Sequence, residues 1–235
     1  RHRGKETARI RAQSRFNFLL NRGCAMKWYE IKNKADKAEI WLYEMIGKDF
    51  FTEDGITSKE FQKEISAINQ KQIDLHINSP GGSVMDGIGI YNLIKNHPAH
   101  VTTFIDGWAA SIASIIALAG DEVVMAENGS FMIHNPEGTA ILRGDADFIE
   151  TESQKVTAAL RQITDSMIGT YMAKSGKTDP EIRELLKKET WMTAKQAKEF
   201  GFIDEIAEEM DMAACAKFIP IMAKAGFKHI PETIT

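Results

Sequence analysis

The chain has few cysteines, no excess of basic charge and no long apolar run, and each shortage argues against a class of protein. Its 235 residues contain two cysteines, Cys24 and Cys215, which lie far apart without a CxxC pair, so neither a disulfide framework nor a zinc site is expected. The net charge of -4 argues against a nucleic-acid-binding protein. The longest nearly apolar stretch, residues 107–120, is shorter than the roughly 18 residues of a membrane span. We therefore expect a cytoplasmic protein without membrane or nucleic-acid partners.

The basic residues are concentrated at the start of the chain. Residues 1–25 carry seven Arg or Lys but only one acidic residue, Glu6, and the first methionine is Met26. Such a segment is typical of a transit peptide, an RNA-binding arm, a pro-segment or translated upstream sequence. It lacks the apolar core of a signal peptide. We expect a disordered extension over 1–25, one domain over 26–210 and a C-terminal extension over 211–235.

Short apolar strands alternate with amphipathic helices along the body of the chain. A capping box, Thr57 with Glu60, predicts the start of one helix. Strands are predicted over 39–46, 73–77, 101–105, 122–125, 131–134 and 202–206, and further helices over 85–95 and 110–119. This alternation predicts a layered α/β fold with a mostly parallel sheet.

Residues 145–174 are predicted to form one long amphipathic helix, because no Gly or Pro interrupts them before Gly169. Its apolar stripe consists of Val156, Leu160, Ile163, Met167 and Tyr171. A helix of about 45 Å is longer than a domain of this size needs for its own core. We expect it to project and pack on another subunit.

Two motifs could supply a nucleophile and its oxyanion site. Residues 78–83, with Gly81 and Gly82, follow a strand and precede a helix, so their backbone N–H groups can face a ligand; a simple tight connection is the alternative. Ser111 lies at the start of an apolar helix, where the following N–H groups can hold an oxyanion. A small residue that permits close helix packing is the alternative for Ser111, and we expect Ser114 to pack inside.

Two further residues could complete such a site. His134 ends an apolar strand just before a turn, where catalytic side chains collect, although a lone histidine is often structural. Glu189 precedes the predicted helix cap at Thr193 and could orient a histidine, although a carboxylate here is usually solvated.

The order and spacing of these motifs resemble the Clp protease proteolytic subunit family, ClpP, which comprises serine peptidases of the crotonase-like fold. The resemblance covers residues 38–206 and is carried by INSPGG (77–82), GWAASIAS (107–114), MIHNP (132–136) and TWMTAKQAKEFGFID (190–204). AASIAS, MIHNP and ETWMTA are more similar to the phage-encoded, head-maturation branch than to the housekeeping subunit. The resemblance implies a ClpP-like layered α/β fold with one long projecting helix.

The resemblance also implies the roles of the candidate residues. Ser111 would be the nucleophile, His134 the general base, and Glu189 the third member of the triad, where the family usually has Asp. The N–H groups of Gly82 and Ile112 would form the oxyanion hole. The substrate would bind as an extended strand along two segments, which comprise Gly81, Gly82, Ser83 and Val84 on one side and Glu137, Gly138 and Thr139 on the other.

The implied assembly is a homo-oligomeric ring, commonly two stacked heptamers, that encloses polypeptide substrates and needs no cofactor or metal. An AAA+ unfoldase feeds the housekeeping enzyme, whereas for the phage-like branch this partner stays open. Two other functions also stay open. The fold hosts acyl-CoA enzymes that use the same paired N–H groups, and Glu189 leaves open a catalytically inactive ring subunit.

Overall fold

The structure, a computed structural model, describes residues 29–47, 57–138, 140–210, 219–224, 227 and 230. The extension expected over 1–25, the substrate-binding residue Thr139 and most of the extension over 211–235 lie outside these residues. No helix in the described part of the chain combines the length and the apolar character needed to cross a membrane.

Eight strands in the described residues form one sheet, which confirms the predicted α/β class. The strands are β1 (Tyr29–Asn33), β2 (Ala38–Leu42), β3 (Gln72–Ser79), β4 (His100–Ala110), β5 (Glu122–Ala126), β6 (Ser130–Ile133), β7 (Thr190–Thr193) and β8 (Glu205–Ala207). Six of them follow the order β1-β2-β3-β4-β5-β8, while β6 pairs with β4 and β7 pairs with β6. The pairs β1–β2 and β6–β7 are antiparallel and the others are parallel.

Helices pack on the sheet and bury its apolar side chains in one main core. The predicted capping box of Thr57 and Glu60 is present at the start of the first helix. The helices are α1 (Ser58–Ile65), α2 (Val84–Lys95), α3 (Ile112–Ala117), α4 (Ala146–Ser175), α5 (Asp179–Lys187), α6 (Ala194–Glu199) and α7 (Ile219–Lys224).

Strand β4 is twice as long as predicted and has different partners along its length. Thr102–Ile105 pairs with β5, and Trp108–Ala110 then pairs with β6. The prediction that the strand ends at residue 105 and that a helix starts at 110 was therefore wrong. The apolar residues before Ser111 continue the strand because β6 offers them a hydrogen-bonding partner, and α3 begins only at Ile112.

Other elements also differ from the prediction. Strand β2 ends at Leu42 rather than at residue 46, because Ile46 leaves the β2 register and bridges Gly82. Strand β7 was not predicted as a strand. The last strand is Glu205–Ala207 rather than 202–206, because Phe202 is fully buried in a turn after α6.

The long helix α4 confirms the prediction for residues 145–174. Asp145 is its N-cap, and the Asp145 side chain accepts a hydrogen bond from the Phe148 N–H. The buried residues of the helix are confined to its C-terminal part: Met167, Ile168 and Tyr171. The residues before Met167 are exposed or half-buried, so most of α4 projects from the core.

Candidate active site

Ser111 lies in the sharp connection between β4 and α3. Its φ of 55° is uncommon for a residue other than glycine. Three backbone-directed hydrogen bonds hold this conformation: the Ser111 N–H donates to the Met132 carbonyl (3.0 Å), and the Ser114 N–H and hydroxyl both donate to the Ser111 carbonyl (3.0 and 2.6 Å). Ser114 is fully buried, as predicted. The strained turn presents the Ser111 hydroxyl at the end of the sheet.

The Ser111 Oγ lies 2.7 Å from the Nε2 atom of His134. His134 directly follows β6, the strand that pairs with the end of β4. The chain after it is anchored by a hydrogen bond of 3.2 Å from the Asn135 N–H to the Leu186 carbonyl. The structure therefore brings together the two residues that the sequence places 23 positions apart.

Burial lowers the pKa of His134, because a charged imidazolium loses solvation in this largely enclosed position. The carboxylates of Glu137 and Glu189 act in the opposite direction and raise it. Burial is the largest of these effects. A neutral imidazole near pH 7 can accept a proton from the Ser111 hydroxyl.

The pairing of β6 with β7 places Glu189 near this histidine. The antiparallel register pairs Ile133 with Thr190, so the next residues outward on the two strands are His134 and Glu189. Glu189 has a φ of 49° and is 8% exposed, and one of its carboxylate oxygens accepts a hydrogen bond of 3.3 Å from the Trp191 indole N–H. It is thus an enclosed carboxylate beside the imidazole, not a solvated surface residue.

The glycine-containing loop packs directly against the nucleophile. A Cβ atom on Gly81 would lie 2.7 Å from the Ser111 Cβ and 3.3 Å from the Ile112 nitrogen. Gly81 and Gly82 have φ values of 98° and 144°, which favour glycine. Ile46 holds the loop, since its N–H donates to the Gly81 carbonyl (2.8 Å) and its carbonyl accepts from the Ser83 N–H (2.8 Å).

The two N–H groups predicted for an oxyanion hole have no acceptor in the described part of the chain. Neither the Gly82 N–H nor the Ile112 N–H donates a hydrogen bond there. Ile112 is the first residue of α3, so its N–H lacks a partner within the helix. Both groups can therefore donate to an oxygen that develops negative charge near Ser111.

The remaining predicted substrate-binding residues lie on two segments. Ser83 is the N-cap of α2, where its hydroxyl accepts a hydrogen bond from the Asp86 N–H, and Val84 is the first residue of that helix. Glu137 and Gly138 are exposed in the segment between β6 and α4.

The sequence analysis missed two aromatic residues beside the site. The Trp191 indole N–H donates a hydrogen bond to Glu189. The ring of Phe227 lies 5.0 Å from the ring of His134. Trp191 could have been noticed because it stands only two positions after Glu189, within reach of its carboxylate. Phe227 carries no comparable signal in the sequence, since only the folding of the C-terminal segment brings it to the site.

Comparisons with known proteins agree with this fold. The family model described as Clp protease matches residues 24–210. The chain is 34% identical over 139 residues to the ATP-dependent Clp protease proteolytic subunit of Chlorella vulgaris, covering 58% of this chain and 66% of the relative. It is 32% identical over 143 residues to subunit 1 of that protease from Protochlamydia amoebophila (strain UWE25), covering 60% and 68%. The match thus spans about two thirds of each relative's length.

A solved structure supports the fold independently. A mutant ClpP1 from Listeria monocytogenes superimposes with a TM-score of 0.57 at 24% identity, covering 72% of this chain and 90% of that protein. At this identity the likeness concerns the fold.

Proposed function

Because the chain belongs to the Clp protease family, we propose that it is a serine endopeptidase with Ser111 as nucleophile, His134 as general base and Glu189 as the orienting acid. The observation that carries this proposal is the 2.7 Å separation of the Ser111 Oγ and the His134 Nε2. Acyl-CoA chemistry on this fold would use the paired N–H groups but would not need this serine and histidine in contact.

The proposed reaction proceeds by two proton transfers through His134. The imidazole takes the hydroxyl proton as the Ser111 Oγ bonds to the peptide carbonyl carbon, and it returns this proton to the amine as the C–N bond breaks. A water molecule then releases the acyl group by the same route. The lowered pKa of His134 keeps the imidazole able to accept the first proton at neutral pH.

The N–H groups of Gly82 and Ile112 stabilise the oxyanion in this proposal. Each such donor contributes about 3 kcal/mol to catalysis in serine peptidases. The extended substrate lies along Gly81–Val84 and the segment from residue 137 to 139. Main-chain hydrogen bonds to those segments would make binding largely independent of the substrate sequence.

We also propose that the active sites open into a chamber made by stacked rings of this chain. The length and exposure of α4 support this assembly, because the part of the helix before Met167 projects from the core and needs another surface to cover its apolar side chains. We propose that its substrates are polypeptides in the cytoplasm. The motif sequences favour one class of them, the proteins of a phage head.

A fluorophosphonate probe tests the catalytic assignment, because it bonds covalently only to an activated serine. The probe should label Ser111 in the unaltered protein, and mass spectrometry of the digested protein should locate the adduct. Labelling should vanish in Ser111→Ala and fall in Glu189→Gln. The matched control is Ser166→Ala, which removes an exposed serine of α4 and should leave labelling unchanged. Full peptidase activity in Ser111→Ala would overturn the proposal.

A further inference from the structure

Four side chains form a continuous apolar surface on three adjacent strands beside the site. Ala110 of β4 is paired with Met132 of β6, and Met132 is paired with Trp191 of β7. Trp108 lies two residues before Ala110 and therefore points to the same side, where its ring contacts that of Trp191 at 5.5 Å. We call Trp108, Ala110, Met132 and Trp191 the apolar face.

The apolar face leads directly to the proposed triad. His134 lies two residues after Met132, so the alternation of β6 places it on the same side as the apolar face. The hydrogen bond from Trp191 to Glu189 joins the face to the carboxylate. A peptide bound at Ser111 would thus have an apolar surface beside it.

In this chain the described residues of a C-terminal segment, 219–224, 227 and 230 of the range 219–230, cover the apolar face. Met222 is buried there, and Ile219, Phe227 and Ile230 pack against the same cluster. The Phe227 N–H donates to the Met222 carbonyl at 3.1 Å, which ties Phe227 to α7. The Phe227 ring lies 5.0 Å from the His134 ring at an angle of 35°, so the segment contacts the proposed general base itself.

This segment lies beyond the part of the chain that matches the family model, which ends at residue 210. It thus lies outside the matched part of the chain, yet it fills a surface next to the proposed general base. The segment contacts the apolar face through the apolar side chains of a peptide chain. We therefore expect the face to bind ligands of the same chemistry.

We propose that the apolar face is a binding site for apolar side chains of peptides and that residues 219–230 occupy it as an intramolecular inhibitor. This inference rests on the proposed peptidase function. Because the segment is tethered, its effective concentration at the face is about millimolar, and a substrate must displace it. With Phe227 removed from His134, the apolar face becomes available to the substrate.

The first test compares the rate at which the fluorophosphonate probe labels Ser111 in four proteins. These are the unaltered chain, a chain ending at residue 218, Phe227→Ala, and the control Ala223→Ser, which alters an exposed residue of the same short helix. We expect labelling to be at least about tenfold faster in the shortened chain and in Phe227→Ala, and unchanged in the control. Circular dichroism checks that each variant is folded. If the shortened chain does not fold, the test rests on the labelling rate of Phe227→Ala.

The second test measures binding without catalysis. A fluorescent peptide with the sequence of residues 219–230 should bind the shortened chain carrying Ser111→Ala, as measured by fluorescence anisotropy, and its Phe227→Ala counterpart should bind at least about tenfold more weakly. If the shortened chain does not fold, the same peptide is tested on the full chain carrying Phe227→Ala and Ser111→Ala.

The outcomes separate this inference from the proposed function. Equal labelling of Ser111 in all four proteins, or slower labelling in folded Phe227→Ala, would overturn the inhibitory role while leaving the serine peptidase intact. Peptide binding that does not depend on Phe227 would overturn the binding site. If Ser111 is labelled in none of the proteins, the proposed function fails and the inhibitory role fails with it.

Discussion

The hydroxyl groups of Ser114 and Tyr171 lie 2.8 Å apart in the core. The Ser114 hydroxyl donates its one proton to the Ser111 carbonyl, so Tyr171 must be the donor in the bond between the two hydroxyls. This chain of hydrogen bonds joins the C-terminal part of α4 to the turn that holds the nucleophile. Burial raises the pKa of Tyr171 well above its ordinary value, so the phenol stays protonated and able to donate.

Tyr171→Phe should therefore lower the free energy of unfolding by about 1 to 2 kcal/mol, since a buried hydrogen bond is lost while Ser114 keeps its bond to Ser111. Urea denaturation measures this change. The rate of Ser111 labelling should stay within about twofold of that of the unaltered protein, because Ser114 still donates to the Ser111 carbonyl and holds the turn. A twofold change in rate corresponds to about 0.4 kcal/mol. A tenfold loss of labelling in the folded variant would contradict this expectation and would mean that the Tyr171 hydroxyl positions the nucleophile through Ser114.

The rate of Ser111 labelling should fall on acidification only below the ordinary titration range of histidine. The reason is that burial lowers the pKa of His134, and only the neutral imidazole accepts the proton. Glu189→Gln removes a charge that favours the imidazolium, so the pKa should fall further and the acid limb of the rate profile should move to lower pH. The plateau rate should also fall, because the imidazole loses its orienting carboxylate.

Glu137→Gln is the matched control for this pH profile. Glu137 also raises the pKa of His134 through its charge, but it is exposed on the segment after β6. The acid limb should move in the same direction, while the plateau rate should fall less than in Glu189→Gln, because Glu137 is not proposed to orient the imidazole. A plateau that falls equally in both variants would argue against a special orienting role for Glu189.

Alanine substitutions at two glycines should have opposite effects. Gly81→Ala places a methyl group against the Ser111 Cβ at a φ of 98°, so we expect a loss of at least about tenfold in labelling and a stability loss of about 1 to 3 kcal/mol. Gly169→Ala, in the middle of α4 with open space around it, should raise stability by about 0.5 to 1 kcal/mol. Thermal unfolding monitored by circular dichroism compares the two.

An acidic residue on the projecting part of α4 should disrupt the proposed stacking of rings. Phe148 and Ile149 are both large apolar residues with substantial exposure on this helix, and a charge buried among such side chains is strongly unfavourable. Ile149→Asp should therefore reduce the particle mass to about half, as measured by analytical ultracentrifugation, if α4 joins the two rings. Lys187→Asp, on the exposed side of α5, should leave the mass unchanged.

The long helix was the part of the fold best predicted from the sequence, because thirty residues without an internal proline give a periodicity that no strand can imitate. The end of β4 was not predicted. Its residues Trp108–Ala110 are apolar on every side, and such a run fits a buried helix as well as a buried strand. The pairing with β6 decides between the two, and a partner strand leaves no local trace in the sequence.

The candidate site, like the fold, was predicted only in part from the sequence. Ser111 and His134 were identified from their positions at strand ends and from the resemblance to the family. The enclosure of Glu189 depends on β7, whose four residues are too few to show an alternation. Phe227 lies outside the recognised motifs and 93 residues from His134 in the chain, so only tertiary packing shows its contact with the imidazole.

The two-part pairing of β4 links the local stability of the nucleophile turn to that of the whole sheet. One strand is hydrogen-bonded to β3 and β5 in the middle of the sheet and then to β6 just before Ser111. Opening the turn therefore requires β6 to detach from the same strand that holds the centre together. Amide hydrogens from Trp108 to Ala110 should exchange with deuterium as slowly as those of β3, so that the serine turn forms one cooperative unit with the core.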